Sequence, residues 1–357
     1  MMLDINEVLL RLAEKFPSAS DFVINHEELI VISSKRVIHK ELGEFSRIVE
    51  DVIYSLPRKE ESNGRMTDID TSWKVNEGLR FRLNVARYDG DKFELTFRWL
   101  RDVTWKLEDY NFETRIVEDI FKRVEQKKGG LFLVIGPTGS GKSTVMATIL
   151  NSLLSRLPVR VITIEDPVEY RLNEGSGSVI QREVGVDTPS FARALKSALR
   201  QNPNIIFVGE IRDRETVRLL LEASDTGHVV FATMHTDTPK DTMDRLMGMV
   251  DSADQQFVLT SIQKVLVGVL GLRMYDYNGK KLMLYEYMNG LDPAIKSLIL
   301  QRKFESIPVF MNPDNGHVPF EYTLAKRIKE GVVDVKDMDQ FGFDRQKIQI
   351  YMSKIKI

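Results

Sequence analysis

Not one of the 357 residues is cysteine, which excludes disulfides, thiolate catalysis, iron–sulfur clusters and any zinc site built on thiolates. That absence is compatible with a reducing compartment. Nor does one sign of charge prevail: Lys+Arg 50 against Asp+Glu 52 leaves a formal charge of −2. No global field therefore draws the chain to a polyanion, and nucleic-acid binding would need a local basic surface. Long apolar runs are missing too. The stretch from Val265 to Leu272 is short and interrupted by glycine, far below the roughly 18 to 20 residues that cross a bilayer. Near the start, Asp4, Glu7 and Glu14 interrupt the region where the apolar core of a signal peptide would lie, so the expectation is a protein kept inside the cell. No repeat or low-complexity tract is present. What remains is an ordinary globular composition, 43% hydrophobic and 29% charged, long enough for two domains.

The opening segment reads as an amphipathic helix, with Ile5, Val8, Leu9, Leu12 and Phe16 at helical spacing behind a capping box of Asp4 and Glu7. Short β-rich runs at Phe22 to Ile24, Leu29 to Ser33 and Arg36 to Ile38 predict a small sheet, and Phe45 to Leu56 a second helix ended by Pro57. Arg58 to Arg65 reads as a mobile loop. In Arg80 to Ala86 and Lys92 to Trp99, apolar and polar residues alternate, and a turn at Asp89-Gly90-Asp91 folds the two into a hairpin with one apolar face. Arg80, Arg82 and Arg98 fall on the other face, which is either solvated or functional. A connector from Arg101 to Glu113 and a helix from Phe112 to Val124 lead into the second domain.

From Gly129 the rhythm becomes buried strand, loop, helix. Leu131 to Ile135, Val159 to Ile164, Ile205 to Val208 and Val229 to Thr233 are the apolar runs that parallel sheets bury on both faces. Beyond about Leu291 the chain reads as helical. Between the first of these strands and a helix lies Gly136-Pro137-Thr138-Gly139-Ser140-Gly141-Lys142-Ser143, which fits the P-loop pattern in both sequence and context. Glycines let successive backbone N–H groups converge on phosphates, Lys142 neutralises the β/γ oxygens, and Ser143 offers a hydroxyl to Mg²⁺. Thr144 follows on the first turn of the helix, whose dipole adds to the cradle.

Three further strand ends carry polar residues: Glu165 with Asp166 and Glu169, Glu210 with Arg212 and Asp213, and His235 after Met234. Ligands of open α/β sheets bind outside the carboxyl ends of the strands. If the strands are parallel, Lys142, Glu165, Glu210 and His235 share one edge. One carboxylate there would take a proton from the attacking water, while another holds Mg²⁺. His26, His39 and His317 read as structural.

These residues resemble the secretion ATPase superfamily of type IV pili, type II secretion and archaeal filaments, over most of the chain. Four boxes match in order: the Walker A segment, an Asp box in Thr163 to Glu169, a Walker B box in Ile206 to Asp213, and a His box from Thr226-Gly227-His228 to His235-Thr236. Gln181-Arg182-Glu183-Val184-Gly185, Ala198 to Pro203 and Ala19-Ser20-Asp21 are also similar to the family. Within it the chain most resembles the PilT-like retraction ATPases of twitching motility.

The resemblance implies an N-terminal PAS-like α+β domain (1–105), a linker and lead-in helix (106–127), a RecA-like P-loop ATPase domain (128–290) and a helical C-terminal region (291–357). It implies a hexameric motor using ATP and Mg²⁺ at the cytoplasmic face of the inner membrane, acting on a platform protein and through it on pilin, with no direct nucleic-acid partner. Glu165 is assigned to the water and Glu210 to Mg²⁺ with Ser143. His228 and Arg80 are assigned to the nucleotide, and His235, Arg82 and Arg98 to catalysis. A motor for pilus extension or secretion, a nucleic-acid translocase and a nonhydrolysing nucleotide sensor remain as alternatives.

Overall fold

The computed structural model describes residues 4–33, 35–56, 68–76, 78–100 and 102–355. The stretch expected as a mobile loop, Arg58 to Arg65, lies outside them. The chain divides into two compact units. One is Met1–Thr104 with Ile164–Leu172 and Gln181–Ala194; the other is Trp105–Thr163, Asn173–Ile180 and Leu195–Ile357. The segment 128–290, read from sequence as one domain, is thus shared between them.

In the first unit six strands, β1 (Asp21–Ile24), β2 (Glu28–Ser33), β3 (Arg36–Leu42), β4 (Asp68–Lys74), β5 (Arg80–Tyr88) and β6 (Lys92–Leu100), form one sheet. Their order is β3-β2-β1-β6-β5-β4 and neighbouring strands run antiparallel. The helices Ile5–Lys15, capped by Asp4, and Ser46–Ser55 bury Leu9, Leu12, Val49 and Val52. These pack in one core with Phe22, Phe81, Leu83 and Phe97 of the sheet. Each such side chain contributes roughly 2 kcal/mol on burial. Phe81 meets Phe22 and Phe97 edge-on at centroid distances of 5.8 and 6.0 Å, the geometry that aromatic quadrupoles favour. The hairpin of β5 and β6 turns at Asp89 and Gly90, whose φ values of 42° and 82° suit a tight turn. Sequence patterning placed no strand at β4, where Ile69, Thr71 and Trp73 alternate with Asp70 and Ser72.

A seven-stranded sheet is built from β7 (Gly130–Ile135), β8 (Arg160–Glu165), β9 (Ser178–Glu183), β10 (Ile205–Val208), β11 (Val229–Met234), β12 (Leu266–Tyr277) and β13 (Lys280–Asn289). Its order is β13-β12-β7-β11-β10-β8-β9. β12, β7, β11 and β10 run parallel, and every residue of β7 and β11 is buried. β9, β12 and β13 were not anticipated. β12 and β13 form an antiparallel hairpin through Asn278 and Gly279, whose φ values of 53° and 74° mark the turn.

Against this hairpin lie C-terminal helices, Phe320–Lys329 and Arg345–Lys354 among them, which bury Leu324 and Ile348 with Leu284 and Phe341. No helix among the described residues is long and apolar enough to cross a membrane.

Candidate active site

β7 ends at Ile135, and the next residues loop into the helix Lys142–Arg156. Gly139 and Gly141 take φ of 81° and 95°, a region closed to most side chains. Gly136 is needed for a different reason: a Cβ there would stand 2.4 Å from the Leu272 carbonyl oxygen and 2.6 Å from Ser140 Oγ. Gly141 is the N-cap of this helix and, being glycine, gives its first turn no side-chain cap. Ser140 Oγ is buried without a hydrogen-bond partner. A helix N-terminus behind a glycine cap, an unpartnered hydroxyl and a buried lysine fit a phosphate chain. The ammonium of Lys142 donates to the carbonyl oxygens of Gly136 (2.7 Å) and Pro137 (3.0 Å).

β11 lies beside β7 in parallel register, with Met234 opposite Ile135, so His235 emerges next to Gly136. Its Nδ1 is 3.3 Å from Lys142 Nζ and its Nε2 3.8 Å from Glu210 Oε1. Glu210 follows β10. The Thr233 hydroxyl donates to the Gly209 carbonyl, and Ile211 N–H to the Thr233 carbonyl (3.1 Å), which ties the Glu210 turn to β11. Arg212 Nε holds Glu210 Oε2 at 2.7 Å. Burial, then the Lys142 charge, depresses the His235 pKa below its ordinary value, so the ring is neutral near pH 7. Among the described residues no group of three His, Asp or Glu could hold a metal by itself. Mg²⁺ beside a nucleotide needs only one or two carboxylates besides phosphates and waters, and Glu210, next to His235, is a carboxylate at this edge.

The other expected residues sit in the first unit. Glu165, the last residue of β8, is nearly buried and accepts from Gln181 Nε2 at 3.2 Å. Arg82 Nε donates to Asp70 Oδ1 at 2.9 Å, its Nη2 meets Asp70 Oδ2, and Nη1 is 4.0 Å from Glu169. Arg98 stands opposite it in register and donates from Nε to Asp21 Oδ1 at 2.7 Å. Arg80 is half-buried, opposite Leu100 on one side and Lys74 on the other.

The family model for Type II/IV secretion system protein matches residues 67–283, more than half of the chain. The chain belongs to this family. The twitching motility protein of Neisseria gonorrhoeae is 32% identical over 271 residues, 74% of this chain and 70% of that protein. The type IV pilus retraction ATPase PilT of Pseudomonas aeruginosa is 36% identical over 257 residues, 72% of each. The crystal structure of the pilus retraction motor PilT with bound ADP matches with a TM-score of 0.81 at 30% identity, covering 98% of this chain and 99% of that one. This secretion-system protein is an ATPase.

The structure of this family member places one expected residue apart from the cradle. His228, counted with the nucleotide-binding residues, precedes β11, whereas His235 follows it. Strand rise separates the two by roughly 20 Å, so His228 lies at the far edge of the sheet from its own chain's Lys142. There its Nδ1 meets the Ala223 carbonyl at 3.1 Å. Sequence reasoning missed Asp70, which holds Arg82, and named Asp21 and Arg212 without their partners, Arg98 and Glu210. Pairing across strands that patterning did not place, as for Asp70 on β4, leaves no signal in spacing.

Proposed function

We propose that this ATPase is the motor of type IV pilus retraction, a ring of six copies at the cytoplasmic face of the inner membrane that acts on a platform protein and, through it, on pilin. The observation that carries the reading is end-to-end likeness to a pilus retraction motor, joined to a cradle in which Lys142, His235 and Glu210 converge. In this reading the first unit is the PAS-like domain and the second a RecA-like core with its helical C-terminal region.

The cradle holds the phosphates of ATP through the loop and helix N–H groups, Lys142, and the hydroxyls of Ser140, Ser143 and Thr144. Ser143 and Glu210 would hold Mg²⁺, which when bound would supply positive charge against that of the phosphates. Glu165 takes a proton from water as the water oxygen bonds to the γ-phosphorus. The bond from that phosphorus to the bridging oxygen breaks, and ADP leaves with the electron pair. Neutral His235 donates from Nε2, and arginines of the first unit of a neighbouring copy meet the charge that develops. Closure of the units in step with hydrolysis converts chemistry into displacement.

Deleting the gene tests the direction of work. A motor of retraction leaves cells with abundant surface pili that are not withdrawn; bald cells would assign the chain to extension instead.

A further inference from the structure

The segment Gln181-Arg182-Glu183-Val184-Gly185 was singled out from sequence and has no part in the chemistry above. In the structure it forms the end of β9, and two of its side chains, at alternate positions, reach the loop that follows Glu165. The Gln181 carboxamide makes three bonds. Its oxygen accepts from Leu172 N–H (3.0 Å), and its Nε2 donates to the Tyr170 carbonyl (2.9 Å) and to Glu165 Oε1 (3.2 Å). Since the Leu172 N–H requires an acceptor, the oxygen must face it, and the amino group is turned to the carboxylate.

Glu183 is buried to 2% exposure and spends its carboxylate on both sides of a junction. Oε1 accepts from Ser72 N–H (2.8 Å) and from the Thr71 hydroxyl (3.1 Å), and Oε2 accepts from Val168 N–H (3.2 Å). Ser72 is the cross-strand neighbour of Arg82 on β5, and Asp70, on the same strand β4, holds Arg82. The bonds of one carboxylate thus join the loop after Glu165 to the strand beside Arg82. A carboxylate out of water is retained only where donors meet it, and here they are N–H groups and a hydroxyl rather than a cation.

We propose that Gln181 and Glu183 are positioning residues for hydrolysis: Gln181 fixes the Glu165 carboxylate, and Glu183 locks its loop to β4, so that base and arginine are carried on one body. This rests on Glu165 being the base. A base that is oriented by a third group is a recurrent arrangement in hydrolytic sites, and here the third group is an amide.

The test uses the full chain and measures ATP affinity, kcat and KM. Gln181→Met keeps the length and removes the donor; it should bind ATP within about twofold of wild type while kcat falls about ten- to a hundredfold, the cost of a misplaced base. Added to Glu165→Gln, the same change should lower the residual turnover no further. Glu183→Ala should lose kcat similarly, and Glu183→Gln, which still accepts, should recover most of it.

An inactive Glu165→Gln beside a Gln181→Met of wild-type kcat overturns the positioning role alone. So does an equal loss from Gln181→Met in both backgrounds. Full turnover by Glu165→Gln overturns the base assignment and this proposal with it. Should Gln181→Met fail to fold, Gln181→Glu retains the acceptor for Leu172 but sets a second carboxylate against Glu165. Wild-type kcat in that variant also overturns the proposal.

Discussion

Lys142 and His235 are bonded to each other, and the bond fixes the tautomer of the imidazole. An ammonium has no lone pair, so Nδ1 of His235 is the acceptor across the 3.3 Å and the ring proton sits on Nε2. Protonating the ring would turn Nδ1 into a donor facing a donor and set two cations side by side. Burial and the charges of Lys142, Arg245 and Arg212 oppose that, against Glu210, which favours it. As pH falls, turnover should therefore hold through the ordinary histidine range near 6.5 and drop only below it. His235→Ala should lose about a hundredfold in kcat, as for other lost transition-state donors, and with it the part of the acid limb due to the ring. A pH profile of phosphate release for both proteins measures this; an unchanged limb in the variant would remove His235 from the reaction.

Removing Lys142 takes the cation from the cradle. Lys142→Ala should abolish hydrolysis, and full activity would dismiss the site. The two carboxylates separate by function: Glu165→Gln should keep ATP and Mg²⁺ but lose most turnover, since an amide keeps the shape and takes no proton. Glu210→Gln should weaken Mg²⁺ binding and lower turnover with it. Normal turnover by Glu165→Gln, together with an inactive Glu210→Gln that still binds Mg²⁺ and ATP, would exchange their roles.

What patterning reveals depends on how local the cause is. The P-loop is legible because its chemistry is contiguous: glycines, lysine and serine occupy consecutive positions between a buried strand and a helix. Strong alternation marks β5 and β6 because one face is wholly apolar. β12 escaped because Leu266 to Leu272 is buried throughout, and continuous apolar runs carry no period; the Asn278-Gly279 turn was its one available signal. The grouping of Glu165 with the first unit was invisible for another reason. It arises from contacts such as Ser72 to Glu183, 111 residues apart, and no local propensity encodes them.

Glu286 lies opposite Gly271 in the hairpin of β12 and β13, where a Cβ on the glycine would stand 2.8 Å from its Cγ. Its Oε1 is buried without a partner, and burial pushes its pKa from 4.5 up to about 8, with Arg273 offsetting part of the shift. Between those two values the unfolded chain releases a proton that the folded chain keeps, so stability falls as pH rises across the window. Glu286→Gln removes the titration. Its melting temperature relative to wild type should rise from pH 5 to pH 8, a difference worth on the order of a few kcal/mol. Thermal melts at both pH values decide it: a constant offset would mean that Glu286 does not titrate on unfolding.

Arg82 and Arg98 face each other across β5 and β6, and like charges so placed repel unless each is met by an acid. Asp70 and Glu169 meet Arg82, whereas Arg98 has Asp21 and keeps 63% of its side chain exposed. Of the two, Arg98 is the freer to leave its partner for a γ-phosphate on another subunit, and such fingers are worth about 10³ to 10⁵ in rate. Arg98→Ala should therefore bind ATP and fail to hydrolyse it, while a change on a merely solvated face would be nearly silent. Donation in trans makes a sharper demand. Arg98→Ala subunits keep the cradle and Lys142→Ala subunits keep the arginine, so rings assembled from both contain some complete sites although neither parent has any. Phosphate release from the mixture, absent from each variant alone, is the expected result. Wild-type hydrolysis by Arg80→Ala, Arg82→Ala and Arg98→Ala alike, or by a stable monomer, would return the arginine face to simple solvation.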